Sequence, residues 1–337
     1  MPRLNPAQLC ILLAGLLCAS LPMAISNGSV DIPTDTLWQL LTNNAPEEGR
    51  AAIHARILWE LRLPRVLMAL LCGAALALCG ATLQCLTRNP LADPYLFGIS
   101  AGASLGAVIA LTTSTGAAWL VHSWGFSLAA FVGAMVAVLV IVGMVRDGRT
   151  EGLILAGVAI SFLFSSLASL VLYFADPQAM QAVLFWTMGS FARASWEGLV
   201  WPLVTLFVAG TAIVSHHRIL TALMVGDESA HTQGIAVKPV RLVMLLLTAL
   251  ITASVVAQCG SIGFVGLMVP HMVRRLAGGA GRWLLPCVML FGALMMLWVD
   301  LLSRQLLPNQ ELPVGVITAI LGSLFFLVLL FQRRSAL

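Results

Sequence analysis

Apolar residues fall in long blocks along this chain, and short clusters rich in arginine, proline, glycine and acidic residues separate them. A helix needs about 20 apolar residues to cross the hydrocarbon layer of a membrane. Blocks of that kind run over 9–26, 66–86, 96–113, 124–145, 152–173, 197–215, 240–257, 260–273, 284–303 and 314–331. The pattern therefore predicts an all-α polytopic membrane protein with ten transmembrane helices. The eighth block is short, and Gly260 and Pro270 bound it. It is expected to be partly sunk among its neighbours, because lipid cannot satisfy irregular backbone. The first block follows Arg3 and resembles a signal peptide, but it is long enough to span and keeps the set of helices even.

The whole chain, 1–337, reads as one membrane domain. It comprises the first helix (9–26), helices two to six (58–215), a polar loop (216–239) and helices seven to ten (240–334). Glycines show where helices approach closely. Gly98, Gly102 and Gly106 recur every four residues, and the pairs Gly73/Gly80 and Gly315/Gly322 stand two turns apart. Gly260, Gly263 and Gly266 punctuate the eighth block. Small residues on one helix face let backbones come together, so all of these are read as packing positions. The stretch ALALCGATLQCLTRNPLADP loosely echoes ALITASVVAQCGSIGFVGLMVP, as two halves of an inverted repeat would.

Composition agrees with the pattern: 60% of residues are hydrophobic and 9% charged, and the mean hydropathy is +0.97. The net charge of +4 carries no nucleic-acid signal, since Lys238 is the sole lysine and no polybasic patch can form. The distribution of the basic residues is more informative. With the N-terminus inside, Arg3, Arg88, Arg146, Arg149, Arg218, Lys238, Arg241, Arg274, Arg275, Arg282, Arg333 and Arg334 face the cytoplasm, twelve of eighteen. That bias predicts both termini in the cytoplasm. Arg50, Arg56, Arg62, Arg65, Arg193 and Arg304 remain outside. The seven cysteines sit in apolar runs without ligand spacing, so neither a metal site nor a disulfide framework is expected.

What could power such a protein is constrained by what is missing. A phosphate-binding loop needs a lysine after a glycine-rich turn, whereas Lys238 follows Gly-Ile-Ala-Val and precedes Pro239. This chain is therefore not expected to be an enzyme or to hold ATP itself. Glu60, Asp93, Asp147, Glu151, Asp176, Glu197 and Asp300 lie at block ends or in loops, which disfavours a mid-membrane proton site. In the loop His216 to Pro239, Ile219–Val225 can form a short helix and Gly226 a sharp turn. Asp227 can cap a second helix with Glu228 in its first turn, and Gly234 can end it. Such a loop is either a docking element for a separate motor or an interfacial amphipathic segment.

Five stretches, LRLPR, RNPLADPYLFGIS, GDESAHTQGI, GSIGFVGLMVPHMVRR and ELPVGVITAILG, resemble the permease subunits of type II ABC importers for ferric siderophores, haem and vitamin B12. The resemblance runs from about Leu58 to Leu330. It implies a type II permease fold in the bacterial inner membrane, paired with a second permease that is an identical or related chain. Two cytoplasmic ATPase subunits would hold ATP and magnesium, and a periplasmic binding protein would deliver the cargo. The cargo would be a ferric siderophore foremost, with haem or cobalamin as the other choices. Leu220, Leu223, Gly226, Asp227, Glu228, Ala230, Gln233 and Gly234 would form the element coupled to the ATPase. Pro270 would stop the eighth helix and leave His271, Arg274 and Arg275 near that motor.

Arg62 and Arg65 flank Pro64, are three residues apart and so share a face at a helix start, where positive charge opposes the helix dipole. The resemblance implies that they, with Arg304, receive carboxylates from the binding protein; lipid-headgroup contact is the competing reading. It further implies that Ser161, Ser165 and Ser169 line the pathway and that Met180, Phe185, Trp186 and Met188 gate it. Two rivals from other classes stand beside this reading. One is an ion-coupled secondary transporter of a small solute, and the other is a structural membrane protein without a pathway.

Overall fold

The computed structural model describes residues 5–28, 40, 49–113, 123–145, 150–278, 281–307 and 310–334. Arg3, Arg146, Asp147 and Arg149 lie outside them. The described residues form helices joined by short turns, with no strand among them. In chain order these are α1 (Pro6–Ser26), α2 (Arg50–Arg56), α3 (Leu63–Thr87), α4 (Ile99–Thr113), α5 (Ser123–Met144) and α6 (Thr150–Tyr173). The second half has α7 (Pro177–Thr187), α8 (Trp196–Thr205), α9 (Thr211–Ser215), α10 (His217–Val225), α11 (Asp227–Thr232), α12 (Val237–Cys259), α13 (Val265–Ala277), α14 (Leu284–Gln305) and α15 (Val314–Arg334). Wider π-helical turns, Ile57–Arg62 and Leu206–Gly210, join α2 to α3 and α8 to α9.

Eight continuous helices among the described residues are long and apolar enough to cross a membrane, rather than the ten predicted. The third and eighth blocks fall short for local reasons. In the third, the Asp93 side chain accepts from the Tyr95 N–H and caps a tight turn over Pro94–Phe97. Gly98 then takes φ +68°, so the regular helix starts only at Ile99. Burial pushes the Asp93 carboxyl up to about 6, against the smaller opposing effect of the Tyr95 N–H.

In the eighth block the chain from Gly260 to Phe264 is not helical. Gly260 (φ +73°) and Phe264 (φ +68°) lie in the left-handed region, and α13 begins at Val265. Pro270 does not end this helix, contrary to expectation; it sits inside, and Gly278 ends it at φ +88°. A proline removes the N–H that would bond to the carbonyl four residues back. Here that carbonyl belongs to Gly266, and the Gln84 side chain donates to it at 3.1 Å, replacing the lost bond.

The centre of the bundle is α3, which is buried along most of its length against α12, α13 and α14. Glycine permits this. A Cβ added at Gly73 would collide with the Gly292 backbone, and one at Gly80 with the Gly266 backbone. Gly102 and Gly106 bring α4 equally close to Gly133 and Ala129 of α5. Gly315 rests on the Met188 and Ser261 carbonyls, and Gly322 on the Phe264 ring. Gly263 is the exception: nothing lies within reach of a Cβ there, so it is not a packing position.

Candidate functional site: a charged cluster at one end, a helical pair at the other

At the start of α3 an ion cluster forms around Asp300, which is completely buried. Arg65 Nε donates to Asp300 Oδ1 at 2.8 Å, and Arg304 Nη2 lies 3.0 Å from Oδ2. Arg65 Nη1 also reaches both oxygens of Glu311, at 2.7 and 2.9 Å. Glu311 is the solvent-facing member, with 46% of its side chain exposed. The last carbonyls of α1 accept from the other two arginines. Arg304 donates to Asn27 O (2.9 Å) and Ala24 O (3.2 Å), and Arg62 donates to Ile25 O (2.8 Å) and Ser26 O (2.6 Å). Cations at a helix C-terminus bond its orphan carbonyls and oppose its dipole favourably.

This arrangement corrects the sequence expectation for the arginines. Arg62 is only 5% exposed and turns toward α1, so it does not share a face with Arg65. Arg304 is likewise enclosed. Arg65 is bonded to a solvent-facing partner, Glu311. Asp300 and Glu311 were missed as site residues. The available signal was Asp300 as the only acid of its apolar block, with Arg304 four residues on.

The polar loop folds at the opposite end of α3, as the expected pair of short helices, α10 and α11. Gly226 between them has φ +156°, and Gly234 (φ +78°) follows α11. Leu220, Leu223 and Ala230 are buried in the main core, so they anchor the pair instead of presenting it. Its outward face carries Met224, Val225, Glu228 and Gln233, with Val225 73% exposed. Asp227 is the first helical residue of α11, with no cap bond from a side chain at that end. Its carboxylate instead bonds Arg241 of α12 at 2.8 Å and lies 3.7 Å from Arg88 at the end of α3. Nearby, Arg274 of α13 bonds the Gln84 side-chain oxygen of α3, and Arg275 bonds Gln332 of α15. His271 meets the Phe325 ring edge-on at 5.6 Å.

The expected pathway residues divide. Ser165 and Ser169 are exposed on α6 beside Phe162, whereas Ser161 is half-buried and donates to Gly157 O at 2.7 Å. Met180, Phe185 and Met188 are exposed on and after α7. Trp186 is 7% exposed and packs edge-on against Phe126 at 5.3 Å, so it is part of the core and not a plug.

Comparison with known proteins places this architecture. The model of the FecCD transport family matches residues 12–332. The hemin transport system permease protein HmuU of Yersinia pestis is 37% identical, covering 99% of this chain and 97% of its own length. The vitamin B12 import system permease protein BtuC of Vibrio cholerae is 38% identical, covering 87% of this chain and 88% of its own. A solved metal-chelate type ABC transporter in an inward-facing conformation superposes with a TM-score of 0.85. It is 30% identical, with 97% of this chain and 99% of that one covered.

Proposed function

The chain belongs to the FecCD transport family, and from that premise we propose that it is the membrane-spanning permease of an ATP-driven importer of metal chelates in the bacterial inner membrane. The cargo class is a metal chelate, a ferric siderophore foremost with haem or cobalamin as the other choices; the relatives named above are permeases for hemin and vitamin B12. Both termini and the α10–α11 pair face the cytoplasm, and the Asp300 cluster faces the periplasm. Two ATPase subunits work from the inner side, a binding protein docks on the outer side, and a second permease completes the channel.

The observation that carries the mechanism is the anchoring of the α10–α11 pair. Its inner face, Leu220, Leu223 and Ala230, is sunk in the core, and Asp227 ties it to both α3 and α12. Its outer face offers Met224, Val225 and Glu228 to a partner. A push on that face from a closing ATPase is therefore passed directly into two central helices, which is what a rocking transporter requires. The exposed apolar sides of α6 and α15, with Leu155, Phe162, Leu324 and Leu327, suit a second copy across a shared pathway. Ser165, Ser169, Met180, Phe185 and Met188 then border that pathway.

Docking on the periplasmic side works by exchange. A carboxylate of the binding protein replaces Glu311 on Arg65, while Arg62 and Arg304 hold the rim by gripping the end of α1. The deciding experiment is Val225→Asp in the reconstituted importer. Substrate uptake and substrate-stimulated ATP hydrolysis should fall together with folding intact; unchanged coupling would overturn the assignment.

A further inference from the structure

Away from both sites, α5, α8 and α12 enclose a cleft of about 440 Å³, inside the roughly 300–1,000 Å³ range of ligand clefts. Leu128, Phe131, Trp201 and Leu250 make its walls. The Thr205 and Ser254 hydroxyls in it bond each other at 2.7 Å, so the wall behaves as apolar surface. Leu128 and Trp201 are more than half exposed, so the cleft opens sideways, onto the outer face of the bundle.

One end of the cleft is polar. Ser127, Ala257 and Gln258 also border a smaller pocket of about 50 Å³, whose other walls include Arg193, Glu197, Ser195 and Trp186. The order along each helix is consistent. The polar mouth uses the start of α5, the start of α8 and the end of α12, and the apolar part lies one to two turns deeper on all three. Cleft and mouth thus run along the helix axes, as a lipid does.

The mouth contains donors placed for an anion. The exposed Arg193 guanidinium lies over the Phe126 ring, 5.8 Å from its centroid. Trp186, which packs on the same ring, holds its indole N–H buried with no hydrogen-bond partner. A buried N–H without an acceptor is unfavourable, and a phosphate oxygen entering the mouth is an acceptor. Arginine is also the side chain best suited to phosphate.

We propose that this cleft is a phospholipid site, with the phosphate at Arg193 and one acyl chain lying between α5, α8 and α12. Glu197 in the mouth adds a carboxylate, so a headgroup that also carries a primary ammonium is preferred over a purely anionic one. The orientation proposed above puts this lipid in the outer leaflet; the site itself does not depend on the transport reading.

The test uses native mass spectrometry on the purified chain, counting retained phosphatidylethanolamine and phosphatidylglycerol with 16- and 18-carbon chains. Arg193→Gln should retain phosphatidylethanolamine about tenfold less well, equivalent to roughly 1.4 kcal/mol. Leu128→Trp, which fills the cleft from its open side, should abolish retention while keeping Arg193. Arg56→Gln, an exposed arginine paired with Glu60 away from the cleft, should leave it unchanged. Equal retention by all four proteins would overturn the proposal. So would retention of inorganic phosphate without lipid by ³¹P resonance, or cross-linking of Leu128→Cys to a second copy. Uptake measured on the same variants is a separate readout, so the importer reading stands or falls independently.

Discussion

Replacing Asp300 by asparagine is the most searching test of the charged cluster. The side chain keeps its shape but loses the charge that lies 2.8 Å from Arg65 and 3.0 Å from Arg304. Breaking a buried ion pair from one side costs about 3–5 kcal/mol, because the remaining charge stays buried. Arg65 keeps Glu311, so the loss falls mainly on Arg304, which keeps only carbonyl partners. The lower end, about 3 kcal/mol, is therefore expected. In a chain of this size that corresponds to roughly 4 °C in thermal unfolding of the detergent-solubilised protein. The double variant Asp300→Asn with Arg304→Met removes both charges and should recover at least about half of the loss, since contacting residues are not additive. A single variant within about 0.5 kcal/mol of wild type would mark an ordinary surface position and refute the cluster's structural role. A strictly additive pair would refute the Arg304 assignment.

Three further outcomes follow from the geometry. Gly80→Leu forces a side chain into the Gly266 backbone and should abolish folded protein in a size-exclusion profile, whereas Gly263→Ala, with open space around it, should melt within about 0.5 kcal/mol of wild type. Asp93 is raised from 3.8 to about 6 on folding, so its contribution to stability is present in full below about 3.8 and is lost as pH rises through about 6. Asp93→Asn keeps the cap and should flatten the fall in melting temperature over that window, worth roughly 3 kcal/mol; an unchanged pH profile would show that Asp93 is not buried as charge. Arg241→Gln weakens the tie between Asp227 and α12 and should lower the uptake obtained per ATP hydrolysed more than it lowers hydrolysis itself.

Long apolar runs carry enough information to place the long helices, which is why each of the eight spans among the described residues overlaps a run read from the sequence, although ten were expected. The two shortfalls turn on single backbone positions, Gly98 and the Gly260–Phe264 stretch, whose left-handed conformations no hydropathy pattern encodes. The helical pair was readable because turn chemistry is local: Gly226 and Gly234, in a polar stretch, take the positive φ that ends a helix. Its facing was not read, although the i, i+3 spacing of Leu220 and Leu223 is the mark of a buried stripe. The arginines failed differently. Which carboxylate an arginine meets depends on helices more than 230 residues apart in the chain, as with Arg65 and Asp300, and no local rule supplies that.

Crossings without side chains leave no slack. At Gly73 over Gly292 and Gly80 over Gly266, main chain lies on main chain, so neither helix can roll or slide past the other without opening a void or a clash. These contacts make α3 a spindle with α13 and α14 riveted to it. Any alternation of access is then expected at breaks in the helices beside it, such as the non-helical Gly260–Phe264 stretch, and spin labels set across either crossing should keep one distance while pairs spanning Gly260 change theirs.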